Sequence, residues 1–155
     1  MDIALTYNLK EKDESKPPDY FSEFDSQETI DAITSALRKK GHNVLPVEAG
    51  NPDIVSYFRK NRVDMVFNIA EGMHGMAREA QIPCLLDAYR IPYVFSDSAV
   101  LALTMNKAMT NAVLRCHDVR VSDFQVLRQE NDLSKVAMPY PLFVKPLAEG
   151  SSKGI

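Results

Sequence analysis

Pro141-Leu142-Phe143-Val144-Lys145-Pro146-Leu147-Ala148-Glu149-Gly150-Ser151-Ser152-Lys153-Gly154-Ile155 is the stretch that decides how this chain is read. An apolar, β-prone run carries one lysine at its end and then breaks into a small, hydroxyl-rich loop. Such a loop can bring several backbone N–H groups and two hydroxyls close to a phosphate, with Lys145 adding fixed positive charge. A second strand is expected after Ile155, where the sequence stops. The stretch therefore reads either as part of a larger protein or as a plain terminal turn.

Working outward, the preceding residues alternate between strand and helix patterns. Asp2–Tyr7 reads as a short buried strand. Residues 8–24 form a long polar loop containing Pro17-Pro18, of a length that is usually functional or disordered. Asp25-Ser26-Gln27-Glu28 fits a capping box with Asp25 as the cap. The helix behind it, Thr29 to Lys40, shows Ile30, Ile33 and Leu37 on one face and ends at Gly41. His42–Val47 is a second strand, and Asn51-Pro52 opens a second helix with Ile54, Val55 and Phe58 on its apolar side. Val63–Asn68 is a third strand, followed by the loop 69–76. A third helix is expected within Ala77–Tyr89, kinked or started by Pro83. Pro92–Phe95 is a fourth strand, and Ser96-Asp97-Ser98 caps a short helix through Leu103.

This alternation predicts an α/β unit over residues 1–104, a Rossmann-like parallel sheet covered by helices. Ligands of such sheets bind beyond the carboxyl ends of the strands, where the loops at 8–24, 69–76 and 96–98 lie. A second, incomplete unit is expected over 105–155, with a helix at Lys107–Arg115 and strands at Asp123–Leu127 and Pro141–Lys145.

Composition bounds the function. Of 155 residues, 45% are hydrophobic and 25% charged, the balance of a soluble globular chain. A net charge of -3 gives no reason to expect a nucleic-acid or anionic-membrane partner. No apolar run is long enough to span a bilayer, and Met1 leads into Ile3-Ala4-Leu5 with no signal-peptide pattern. A cytoplasmic protein is expected. Cys84 and Cys116 lack metal-ligand spacing and read as reduced, buried thiols. There is no G-x-G-x-x-G after the first strand, no Walker A loop, no H-E-x-x-H and no G-x-S-x-G elbow. A dinucleotide dehydrogenase or a serine hydrolase therefore has nothing to start from.

Phe143-Val144-Lys145-Pro146, the loop Glu149-Gly150-Ser151-Ser152-Lys153-Gly154 and Ala102-Leu103-Thr104-Met105-Asn106-Lys107 together resemble the ATP-grasp ligases, D-alanine–D-alanine ligases above all. Pro92-Tyr93-Val94-Phe95-Ser96 resembles the strand and turn that stand before the first lysine in that family. The likeness runs from about Val63 to Ile155 and is weaker before it. It implies an N-terminal domain followed by the beginning of an ATP-grasp central domain, with ATP and Mg²⁺ as cofactors and peptidoglycan synthesis as the setting. Enzymes of this type phosphorylate one D-alanine carboxylate with ATP, and the amine of a second attacks the acylphosphate.

On that resemblance Lys107 and Lys145 would touch the ATP phosphates, offsetting the charge of the transferring phosphoryl group. Ser151 would match the serine that holds the first substrate and the closing loop. Gly150 and Ser152 would cover the phosphates as a lid. Glu149 falls among these nucleotide-binding residues without an individual role. The metal-binding carboxylates would lie beyond Ile155, so no metal ligand is assigned within this chain, and the chain alone is expected to be inactive. A homodimer through the N-terminal domain is also implied.

Two departures stand out. The family's glycine-rich loop with a substrate-orienting glutamate has no clear counterpart after the first strand. Where the family has a histidine after the third strand, this chain has Glu71, with His74 three residues on. Glu71 and Arg78 could bind the amine and the carboxylate of an amino acid. Each residue also has a plainer reading: Arg78 as a surface charge, His74 as a solvated loop histidine, Lys107 as a helix lysine, Lys145 as a strand-edge lysine. The alternatives for the whole are another ATP-grasp amino-acid ligase, or a non-catalytic remnant or small-molecule-binding α/β module.

Overall fold

The computed structural model describes residues 1–155. Its centre is a parallel three-stranded sheet of β1 (Asp2–Tyr7), β2 (Asn43–Glu48) and β3 (Met65–Asn68), in the order β2-β1-β3. Alternation along β1 sends Leu5 to one face and Ala4 to the other, the period of two that a strand imposes. Leu5 packs with Val44 and with Ile30 of α1 (Gln27–Lys39). Ala4 packs with Val66, with Phe58 of α2 (Ile54–Lys60) and with Ile82 and Leu86 of α3 (Gln81–Tyr89). Helices thus cover both faces, as the sequence pattern predicts. Pro46 pairs with Leu5 and is tolerated because β2 is an edge strand.

Several local expectations are corrected. Ser26, not Asp25, caps α1, its Oγ accepting from the Thr29 N–H at 3.3 Å. Asp25 is held elsewhere, because its N–H donates to the Asn8 carbonyl and its own carbonyl accepts from Lys10 N–H. The fourth strand shrinks to one bridge, Val66 to Tyr93, with Pro92 and Val94 sharing the Val66 backbone groups. A 3-10 turn, Arg78–Ala80, precedes α3, so Pro83 falls in the first turn of that helix and costs it no hydrogen bond. Both cysteines are exposed rather than buried, because Ile82, Pro83 and Leu86 take the inward positions of α3 and α5 buries no residue at all.

The helices α4 (Ser98–Met105) and α5 (Lys107–Cys116) follow, capped by Asp97 and Asn106. The strands expected at Asp123–Leu127 and Pro141–Lys145 do not form. Phe143 and Val144 stay 73% and 77% exposed, with no neighbouring strand to take up their backbone groups. Apart from a 3-10 segment at Glu130–Lys135, the chain runs irregularly from Val119 to Lys145 and then returns over the carboxyl ends of β1 and β3.

Candidate functional site

The loops that leave β1 and β3 meet above the sheet, and one buried asparagine joins them. Asn8, just past β1 and 2% exposed, accepts the N–H groups of Glu71 and Gly72 at 2.9 and 2.8 Å. Its amide donates to Glu48 at the end of β2 at 3.2 Å. All three strand ends are thereby tied to a single side chain. Gly72 follows at φ +71°, and a Cβ there would stand 2.6 Å from the Arg78 carbonyl oxygen, so only glycine lets the loop pass.

That loop delivers Arg78, which is 5% exposed. Its guanidinium donates to both oxygens of Glu23 at 2.7 and 2.6 Å, to the Ala148 carbonyl at 2.7 Å and to Glu149 at 3.2 Å. A buried, hydrogen-bonded pair of this kind is near balance while intact. Loss of one partner strands a charge, at a cost of about 3–5 kcal/mol. Arg78 is therefore not the surface charge of its plainer reading.

Three carboxylates, Glu23, Glu71 and Glu79, crowd the guanidinium, with ligand atoms all within 4.8 Å of one another. Burial raises the Glu71 carboxyl to about 7, and the negative charges of Glu79 and Glu23 add to the rise, while Arg78 opposes it. Glu79 is raised for the same first reason, burial, and again Arg78 opposes the rise. Burial first, and then the mutual repulsion of these carboxylates, disfavours full ionisation of the cluster.

The loop after Pro146 closes the site from above. Gly150 N–H donates to Glu23 at 2.6 Å, and Gly154 N–H to Asp19 at 2.8 Å. Lys153 Nζ lies 3.2 Å from Glu149 and 4.0 Å from Glu23, and 5.5 Å above the Tyr20 ring. Lys107, the first residue of α5, donates its Nζ to the Glu149 carbonyl, and its N–H to the Leu147 carbonyl at 3.1 Å.

Of the residues singled out in the sequence, Glu71, Arg78, Lys107, Glu149 and Gly150 gather here. Ser151 and Ser152 lie exposed on the loop, both at positive φ, 45° and 61°. His74 is exposed and offers only its carbonyl, which accepts from Gln81. Lys145 points into solvent and forms no hydrogen bond or ion pair, so it stands apart from Lys107's contacts. The loop amides already hold carboxylate oxygens, which fits them to anionic oxygens such as those of a phosphate.

Sequence reasoning missed Glu23, Asn8, Glu79 and Lys153. For Glu23 a signal existed: Tyr20, Phe21 and Phe24 are too apolar for a solvated loop, and their rings do pack, at 4.8 and 5.6 Å. A concavity of about 500 Å³ lies on α1 between Asp31, Thr34, Ser35, Arg38 and Lys39, none of them a residue of the site. It is open and lined by no hydrophobic residue, so it gives no reason to move the site.

No protein-family model matches the chain. A D-alanine–D-alanine ligase of Methylobacterium radiotolerans is 36% identical over 124 residues, covering 80% of this chain and 39% of the relative. One of Gluconobacter oxydans is 33% identical over 128 residues, covering 81% and 41%. The chain thus spans about two fifths of the length of these curated relatives. The crystal structure of a D-alanine–D-alanine ligase from Bacillus anthracis matches 99% of this chain and 48% of its own, with a TM-score of 0.70 at 19% identity. Its complex with ATP matches 96% with a TM-score of 0.67. In sequence and in fold, this chain is related to the amino-terminal portion of the D-alanine–D-alanine ligases.

Proposed function

We propose that the chain is the substrate-side domain, residues 1–104, and the start of the ATP-binding domain, residues 105–155, of an ATP-dependent carboxylate–amine ligase. The observation that carries this reading is the convergence on Arg78 of three segments far apart in sequence: Glu23 after β1, Glu71 after β3, and Ala148–Gly154. The curated relatives, D-alanine–D-alanine ligases by name, supply the reaction class.

In this reading Arg78 receives the carboxylate of an amino acid. Glu23, with Glu71 beside it, receives the ammonium and takes the place of the substrate-orienting glutamate that the sequence did not reveal. The excess of carboxylates favours a further cation in the site. Lys107, Lys145, Ser152 and the amides of Gly150 to Gly154 hold the anionic oxygens of ATP, and Ser151 steadies the loop over the first substrate. ATP with Mg²⁺ supplies the phosphoryl group and the charge neutralisation that its transfer requires. His74, exposed three residues on from Glu71, joins Glu71 and Arg78 in the substrate-binding set. Dimerisation through the first domain and a cytoplasmic setting complete the proposal.

The reading is tested by nucleotide binding and by turnover in the full-length ligase. Lys145→Ala is expected to weaken ATP binding severalfold or more, and D-alanine is expected to stimulate ADP release. ATP binding that is unchanged by Lys145→Ala, with no amino acid stimulating ADP release, would leave the non-catalytic α/β module as the better account.

A further inference from the structure

We infer that the segment Leu147–Gly154 is a self-occupying latch, whose Glu149 carboxylate and Lys153 ammonium sit on Arg78 and Glu23 in place of those of a free amino acid. This rests on the reading of Arg78 and Glu23 as an amino-acid site.

The contacts form a charge pattern. Glu149 Oε2 is 3.2 Å from the Arg78 guanidinium and 3.2 Å from Lys153 Nζ, which in turn lies 4.0 Å from Glu23. One carboxylate and one ammonium, four residues apart on the same loop, thus lie between a fixed cation and a fixed anion. A zwitterionic amino acid presents the same two charges to the same two partners. Gly150 N–H adds a second donor to Glu23, at 2.6 Å. The pocket left beside Arg78, Phe24 and Met73 measures about 40 Å³, room for about one or two water molecules.

The latch is fastened from both sides but is not relaxed. Arg78 and Lys107 hold the carbonyls of Ala148 and Glu149. Between the two ionic contacts, Ser151 and Ser152 both adopt left-handed φ values. Non-glycine residues keep that conformation only where their surroundings impose it. Beside the backbone hydrogen bonds of the loop, the side-chain contacts that impose it are ionic, and both Glu149 and Lys153 are partly exposed, with side-chain exposures of 32% and 24%. An incoming amino acid that satisfies Arg78 and Glu23 therefore removes the ionic contacts and the Gly150 bond, leaves the loop held by Lys107 and Asp19, and loosens its amides and serines for other ligands.

The experiment compares the chain with its Glu149→Gln/Lys153→Gln variant, both residues being too exposed to carry the fold. Amide hydrogen exchange at Gly150 and Gly154 reads the latch, and calorimetric titration with D-alanine reads the site. Exchange at both glycines is expected to quicken in the variant, with D-alanine binding about tenfold tighter as the closed population disappears. Exchange that is unmoved, with D-alanine binding no tighter, overturns the latch and leaves the amino-acid reading standing. Exchange that quickens while D-alanine binds neither form overturns the amino-acid mimicry together with the reading of the site beneath it.

Discussion

At the scale of single residues, Glu71 carries the most distinctive chemistry. In the unfolded chain its carboxyl ionises near the ordinary 4.5, and in the folded protein only near 7. The folded state thus holds an extra proton between these values, and stability falls as pH rises through that window. Below it the group is protonated in both states and contributes nothing. Above it the cost of the crowded charge is present in full, about 1–2 kcal/mol once discounted for the solvent that reaches this half-buried group. Glu71→Gln is therefore expected to match the parent near pH 4.5 and to exceed it by about 1 kcal/mol at pH 8 in urea unfolding. A difference that stays constant across pH would show that Glu71 does not hold the proton. Glu71 was visible in the sequence as a departure from the family pattern. Its perturbation was not, because both its burial and the approach of Glu79 and Glu23 arise only in the folded chain.

At the scale of elements, helix faces and stops were legible because they depend on residues within one or two turns. Ile30, Ile33 and Leu37 do line the inner side of α1, and Gly41 follows its end at φ +84°. The cap was misplaced by one residue because Asp25 is engaged by Asn8 and Lys10, a competition that no local rule contains. Ser26→Ala is expected to cost about 1 kcal/mol of stability, the usual loss for a cap. Asp25→Asn should change stability by no more than about 0.5 kcal/mol, since the backbone bonds of residue 25 survive. Denaturant midpoints of the two variants decide the assignment, and equal losses would refute it.

At the scale of the whole molecule, packing divides unevenly along the chain. Ala4, Leu5, Val66 and Leu86 are wholly buried, whereas Phe124, Leu133, Tyr140, Phe143 and Val144 are exposed. Between Val119 and Lys145 few backbone groups bond one another, and those that do lie in or beside the 3-10 segment. Hydrogen exchange should therefore separate into two tiers, slow in β1 and β3 and near the unprotected rate over residues 119–146. Limited proteolysis should cut first in that segment and spare residues 1–105. Slow exchange at Phe143 and Val144 in a monomeric sample would contradict this division.

The sequence by itself determined the parallel α/β core, its amphipathic helices and the likeness to an amino-terminal ligase portion. These follow from periodicity and from short motifs, and both act within a few residues along the chain. Only the tertiary structure decided that Arg78 is buried against Glu23, that Asn8 gathers the strand ends and that the serine-glycine loop folds back onto the site. It also left Leu142-Phe143-Val144 without a strand partner, although the apolar run is β-prone. The reason in each case is the same. Burial, ion pairing and strand pairing depend on which distant residue arrives, and 55 to 127 positions separate Glu23 from its hydrogen-bond partners.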